Sequence, residues 1–148
     1  MYAYVLIAHS LWRWVVIAAG VAAMAAAFHG LRSGESWELR ARLLGRLFGI
    51  AIDVQFLMGA SLYLVFSPMT TTAMSVADGL PAGSDLRFFG IYHGLIMTGV
   101  FFDVHISSVI IRRCKSDRSH YRASLILYGQ TLAIILLTIP WWRPLLRI

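Results

Sequence analysis

The side chains that could do chemistry in this chain lie mostly inside long apolar stretches. The segment RFFGIYHGLIMTGVFFDVH, from Arg87 to His105, carries two histidines and one aspartate in an otherwise apolar run. His9 lies near the start of another apolar stretch. Because ionisable side chains are costly at membrane depth, each of these groups is a candidate for function.

His9 and His93 form the first candidate pair. His93 lies six residues after Arg87, which corresponds to about 9 Å along a helix, and His9 is similarly close to the start of its segment. If both segments enter the membrane from the same side, the two imidazoles share one depth. Two neutral imidazoles on facing helices are the axial ligands of a six-coordinate b-type haem. The spacing therefore predicts His9 and His93 as metal ligands; the alternative is an interfacial His9 and a hydrogen-bonded, packed His93.

Neighbouring residues support a haem site. Arg13 lies one helical turn from His9 on the same face, where it could pair with a haem propionate. Gly90 and Gly94 lie one turn apart beside His93 and remove side-chain bulk, so that a flat group or another helix could approach. We therefore expect Arg13, Gly90 and Gly94 to contribute to the cofactor site.

His29 and His105 are a second possible ligand pair, which would bind a second haem. Their spacing does not match that of the first pair. His29 follows His9 by 20 residues, and His105 follows His93 by 12, which gives rises of about 30 Å and about 18 Å. Twelve residues also turn His105 about 120° away from His93 around the helix. The spacing thus favours one haem b over two.

Asp53 and Asp103 are acids within apolar segments. They lie seven residues after Arg46 and nine before Arg112, respectively, so both belong to the same half of the membrane and could meet. Such a pair could relay protons or bind a quinone head group. The alternative is that each is a neutral carboxyl or a hydrogen-bonded contact between helices.

Composition places these residues in a membrane protein. The chain has 148 residues, of which 59% are hydrophobic, and its mean hydropathy is +0.71. Its net charge of +6 is concentrated in connections between apolar segments, which is typical of membrane topology and does not indicate nucleic-acid binding. Cys114 is the single cysteine, so an internal disulfide is excluded, and without a CxxCH motif no covalently attached haem is expected.

The sequence predicts an all-α, integral membrane four-helix bundle that forms a single domain. The apolar segments predict helices over about 4–31, 43–66, 87–111 and 124–139, with a loop over 67–85. Basic residues flank the first and third connections, which predicts that both are cytoplasmic and that the chain is N-out and C-out. These residues are Arg32, Arg40, Arg42 and Arg46, then Arg112, Arg113, Lys115, Arg118 and Arg122.

Four segments resemble a family of small bacterial four-helix membrane proteins described as cytochrome b-like. They are HSLWRWVV (9–16), QFLMGASLYLVFSP (55–68), DLRFFGIYHGLIM (85–97) and LLTIPW (136–141). The resemblance implies a haem b protein of the bacterial inner membrane, in which His9 and His93 match the family's histidines. The chain differs from the family pattern at Asp53, where the family has histidine, and at Tyr92, where it has glutamate.

Three functional hypotheses follow. The first is a haem b electron-transfer protein or cytochrome subunit that moves electrons between a quinol and a partner, and is not a stand-alone enzyme. The second is a haem-free accessory subunit of a respiratory or photosynthetic complex. The third is a proton or ion pathway through Asp53 and Asp103. In each case the expected surroundings are the lipid bilayer and either a larger membrane complex or further copies of the chain.

Overall fold

A computed structural model describes residues 1–75, 81 and 83–142, and the regular structure in these residues is helical. The helices are α1 (Tyr2–Ser33), α2 (Leu39–Phe66), α3 (Pro68–Ser75), α4 (Asp85–Arg112) and α5 (Asp117–Thr138). The last turn of α2, Leu62–Phe66, and an early turn of α4, Phe88–Tyr92, are π-helical.

Four of these helices are long and apolar enough to cross a membrane, which confirms the predicted all-α membrane architecture. They contain 32, 28, 28 and 22 residues, whereas about 20 residues span a bilayer core. A helix satisfies its backbone hydrogen bonds internally, which is why apolar segments of this length adopt it in lipid. The short helix α3 starts at Pro68, a residue well suited to the first turn of a helix because it has no N–H to leave unpaired.

The four long helices form a closed bundle. Both α1 and α4 pack against α2 and α5, so α1 and α4 occupy opposite corners. The core contains Phe48, Val104 and Thr131, all fully buried. A side chain that reaches inward from α1 therefore meets one from α4 across the bundle centre.

At one end of the bundle, two tyrosine rings pack directly against glycines of neighbouring helices and join those helices together. A Cβ at Gly30 would collide with the ring of Tyr121, and a Cβ at Gly45 would come within 2.9 Å of Tyr128. The Tyr121 hydroxyl also donates a 2.8 Å hydrogen bond to the carbonyl of Ser36. Close packing at this end leaves little space between the helices.

The connections differ from the sequence prediction in three places. Helix α2 begins at Leu39 rather than near residue 43, and α5 begins at Asp117 rather than near residue 124. The start of α5 is fixed by a capping box, in which the side chains of Ser116 and Ser119 bond each other's backbone N–H. Polar residues thus extend both helices beyond their apolar segments, and the capping box pairs backbone N–H groups that would otherwise lack partners at the start of α5.

The third difference concerns the predicted loop. The loop over 67–85 contains α3, and its residues 76–80 and 82 lie outside the described part of the chain. At the other end of the bundle, His120 stacks on Trp37, with ring centroids 5.1 Å apart. This stack adds to the contact between the α1–α2 connection and the start of α5.

The N-out, C-out orientation is tested by cysteine labelling. We predict that Thr71→Cys, made in a Cys114→Ser background, reacts with a membrane-impermeant maleimide on intact cells. Thr71 is exposed on α3, at the end of the bundle opposite the basic connections. Native Cys114 should react only after the cells are opened. Labelling of Cys114 on sealed cells, with Thr71→Cys protected, would show the reverse orientation.

Candidate functional site

The structure brings His9 of α1 and His93 of α4 together across the bundle. Their ring centroids are 6.4 Å apart, and the rings are nearly perpendicular, with an interplanar angle of 81°. The two residues are 84 positions apart in the chain, so only the diagonal placement of α1 and α4 makes this contact. Two imidazoles thus share one site at the bundle centre.

His9 is held by α2. The side-chain amide of Gln55 donates hydrogen bonds to the backbone carbonyl of His9 at 3.1 Å and contacts its Nε2 atom at 3.2 Å. Gly59, one turn further along α2, lies directly against the ring: a Cβ there would come within 3.1 Å of the His9 Cε1 atom. Neither Gln55 nor Gly59 was predicted as a site residue, although their i, i+4 spacing on one face of α2 is a usable signal.

His93 is held at the end of a π-helical turn. Its backbone N–H donates to the carbonyl of Phe88, which closes the wide turn over Phe88–Tyr92. π-Helical turns of this kind often mark functional sites. The His93 ring lies 5.6 Å from Phe88 and 5.9 Å from Phe89 by centroid distance, and the backbone of Thr138 lies near it.

Three polar atoms around these rings lack partners. His9 Nδ1, His93 Nδ1 and Gln55 Oε1 are buried and make no hydrogen bond to any described residue. Each unsatisfied buried polar atom costs about 1–3 kcal/mol. Native structures seldom leave several such atoms together, so this cluster indicates a site for a bound group.

A cavity of about 620 Å³ opens beside the two histidines. Its walls come from all four long helices and from α3, and most of the lining is apolar. The polar lining includes His9, Arg13, Gln55 and His93. A largely apolar cavity of this size with a few converging polar groups is the usual form of a small-molecule or cofactor site.

Arg13 supplies positive charge to the cavity. It lines the same wall as His9, one turn along α1, and lies close enough to interact electrostatically with both imidazoles. Its guanidinium also lies 5.8 Å from the Trp14 ring centroid. A cation beside an apolar cavity favours a bound group that carries negative charge at one edge.

Gly90 and Gly94 do not leave open space beside His93. A Cβ at Gly90 would collide with the Cβ of Ala73 on α3, and one at Gly94 would lie 2.9 Å from the Tyr63 ring. The Tyr63 hydroxyl donates a 2.6 Å hydrogen bond to the Gly90 carbonyl. Of the two predicted roles, these glycines therefore serve the approach of neighbouring helices; the space for a flat group lies in the cavity.

The second histidine pair is not brought together in this way. The His29 side chain is 75% exposed and lies 3.9 Å from Glu35. His105 bonds Asp53 through its Nε2 atom at 2.9 Å. Each histidine thus has its own carboxylate partner, and the structure gives no support to a second haem between them.

The two intramembrane acids also have separate partners. Asp53 pairs with His105, between α2 and α4. Asp103 accepts hydrogen bonds from Gln130 Nε2 at 3.1 Å and from the Thr131 hydroxyl at 2.5 Å, between α4 and α5. In the described residues no hydrogen bond joins the two aspartates; each makes a hydrogen-bonded contact between helices, which is one of the two alternatives that the sequence left open.

The residues present fit a haem better than a bare metal ion. Among the described residues, no group of three or more His, Cys, Asp or Glu side chains could hold a metal, whereas a protein-bound zinc ion takes three or four such ligands. A porphyrin supplies four ligands of its own and needs only two more. His9 and His93 would provide those two, since both line the same cavity and their ring centroids are 6.4 Å apart.

Gln55→Leu tests whether Gln55 positions His9. Leucine has a similar volume but no amide, so the hydrogen bonds to His9 are lost while the packing is largely kept. We predict a loss of about 1–3 kcal/mol in the free energy of unfolding, measured by denaturation in detergent. The control is Ser61→Ala, because among the described residues the Ser61 hydroxyl bonds the carbonyl of Met58 in its own helix and no other helix. Equal effects of the two substitutions would contradict a positioning role.

No protein-family model, curated protein or solved structure matches this chain. The resemblance to cytochrome b-like proteins therefore stays a sequence-based prediction. What the site can do has to be judged from its own geometry: two facing imidazoles, a large apolar cavity and one arginine.

Proposed function

We propose that this chain is a multi-pass membrane protein that binds one haem b between His9 and His93 and serves in electron transfer. The observation that carries the proposal is the pair of imidazoles, 6.4 Å apart across the bundle, beside a cavity of about 620 Å³. In both rings Nδ1 is buried without a hydrogen-bond partner among the described residues, so each ring has a nitrogen available for a ligand.

The chain orients both imidazoles through their other contacts. Histidines that bind metals usually donate their second ring N–H to a carbonyl or a carboxylate. Near His93, the backbone of Thr138 would be that acceptor. At His9, the Gln55 side chain approaches the ring, with its Nε2 atom 3.2 Å from the His9 Nε2 atom. Both rings thus lie beside groups that would fix their orientation.

Arg13 and the aromatic residues complete the site. A guanidinium in a poorly hydrated cavity pairs strongly with a carboxylate, and haem carries two carboxylates at one edge. Phe88 and Phe89 pack around His93 and keep water from the metal-binding nitrogen. A dry, apolar shell of this kind is one of the means by which proteins set a redox potential.

The bound haem would supply reversible one-electron transfer at its iron. The chain surrounds the site with helices that lie in lipid, which favours a membrane-soluble quinol as electron donor and a respiratory or photosynthetic complex as acceptor. In this proposal the protein is a component of electron transport in a bacterial inner membrane and not a stand-alone enzyme.

A second candidate is a haem-free accessory subunit of such a complex. The filled space at Gly90 and Gly94 favours it, because there α3 and Tyr63 already pack tightly against α4. In that case the His9–Gln55 bonds serve only to join α1 to α2. Purified protein distinguishes the two candidates, since only the first has a reduced-minus-oxidised spectrum with cytochrome b bands.

The ligands are tested by haem content. We predict that His9→Ala and His93→Ala each lower the haem-to-polypeptide ratio at least about tenfold, because removal of an axial ligand should exceed the 10–100-fold cost of losing a supporting contact. The ratio is measured on protein purified in detergent, with gel filtration to confirm a folded monodisperse species. His29→Ala is the matched control, because that histidine is mostly exposed.

His105→Ala tests the one-haem stoichiometry in the same assay. It should leave the ratio near that of the unmodified chain, because His105 pairs with Asp53 outside the cavity. Full haem content in both His9→Ala and His93→Ala would overturn the bis-histidine proposal. A colourless, folded, unmodified protein from haem-replete cells would favour the accessory-subunit candidate.

A further inference from the structure

Polar side chains lie on the lipid-facing surface of the bundle beside α4. The Asp53–His105 pair is only half-buried, with side-chain exposures of 36% and 48%. Asp53 lies seven residues from Arg46, and His105 lies seven from Arg112, which puts the pair about 10 Å along the helices from those charges. At that depth ionisable groups almost always face a protein interior, so we expect another protein surface to pack against this one.

The opposite flank of α4 is polar as well. Gln130 is exposed on α5, and its amide donates to the half-buried carboxylate of Asp103. Residues 103 and 105 point about 200° apart around the helix and differ in depth by about 3 Å. Thus α4 carries an imidazole on one flank and, at nearly the same depth on the other flank, a carboxylate that is bonded to a carboxamide from α5.

Between the two flanks runs a seam suited to helix packing. We define the α4 seam as five exposed residues with spacings of 4, 3, 4 and 3, which is the repeat of a left-handed helix pair. They are Leu95, Gly99, Phe102, Ile106 and Val109. A Cβ at Gly99 would meet no described residue within 4 Å, so this glycine leaves an open position on the surface of α4. Exposed glycines let two membrane helices approach closely.

We propose that a second copy of the chain packs on the α4 seam and forms a dimer with its two-fold axis along the membrane normal. Copies of one chain insert with the same orientation, because the same basic connections set the topology. A two-fold axis then places each flank of α4 against the opposite flank in the other copy. His105 of each copy faces Asp103 and Gln130 of the other.

Complementary hydrogen-bonding groups on the two flanks are the reason that the occupant is a second copy. His105 keeps one nitrogen beyond its bond to Asp53, and the exposed Gln130 amide has both donor and acceptor groups, so two such contacts form per dimer. Hydrogen bonds of this type join membrane helices because lipid offers no alternative partner. The α4 seam lies on the outside of the bundle, so this inference does not depend on haem in the central cavity.

Cross-linking in native membranes tests which face makes the contact. In a Cys114→Ser background, we predict that Phe102→Cys and Ile106→Cys form disulfide-linked dimers on mild oxidation. The matched controls are Val15→Cys and Val21→Cys, which are exposed on α1 at the opposite corner of the bundle. They should stay monomeric. Absence of dimers at the seam positions, or equal cross-linking from α1, overturns the proposal.

A second experiment tests how much individual residues of the interface stabilise the dimer. It measures the association constant by energy transfer between labelled copies in lipid vesicles. Gly99→Leu should lower the association constant by at least about tenfold, because the backbones can no longer approach. Its control is Ala18→Leu, at an exposed position of α1. Gln130→Leu should weaken association about 3- to 20-fold through its lost hydrogen bonds. The dimer is contradicted if Gly99→Leu and Gln130→Leu both associate as strongly as the unmodified chain. It is also contradicted if the unmodified chain is monomeric in the vesicles.

Discussion

The structure depends on one constraint: a polar group at membrane depth must find a partner within the protein. The side chains of Gln55, Asp53 and Asp103 meet it by bonding to neighbouring helices. The indole of Trp12 does the same, since it donates a 3.0 Å hydrogen bond to the Ala51 carbonyl. These contacts run between α1 and α2, α2 and α4, and α4 and α5, so the polar groups also fix which helices are neighbours.

The two ends of the bundle are packed in different ways, and this difference creates the cavity. Near the basic connections, Tyr121 and Tyr128 lie directly against Gly30 and Gly45 and fill the space between the helices. Toward the other end, π-helical turns in α2 and α4 widen the helices close to Tyr63 and His93. The interior there is left with a cavity beside the two imidazoles, with α3 contributing to its wall.

The two proposals use different parts of the same helix. His93 points into the bundle near one end of α4, whereas the α4 seam and its polar flanks face outward and extend toward the other end. The central site is closed by contacts within one chain, namely Gln55, Thr138 and the phenylalanines. The flanks are left partly exposed by a single chain, and only a neighbouring protein can satisfy them in lipid. A dimer would place two central sites in one assembly without altering either.

The sequence by itself determined the membrane class, the four long helices and the identity of the ionisable residues within them. Length and hydropathy suffice for these, because a bilayer admits little besides apolar helices of about 20 residues. Sequence also indicated that His9 and His93 could lie at one depth, since depth follows from position along a helix. The sequence did not determine how each helix is rotated about its own axis, and therefore which face turns inward. It also did not determine which helices pack against each other.

The rotation of each helix and its packing partners were decided by the tertiary structure. It paired His105 with Asp53 and left His29 exposed beside Glu35, partners that the spacing of these residues along the chain did not predict. It also filled the space at Gly90 with Ala73 from a helix that lies within the predicted loop. The physical reason is that side-chain pairing depends on the rotation of two separate helices, and this is fixed only when all of their contacts form together.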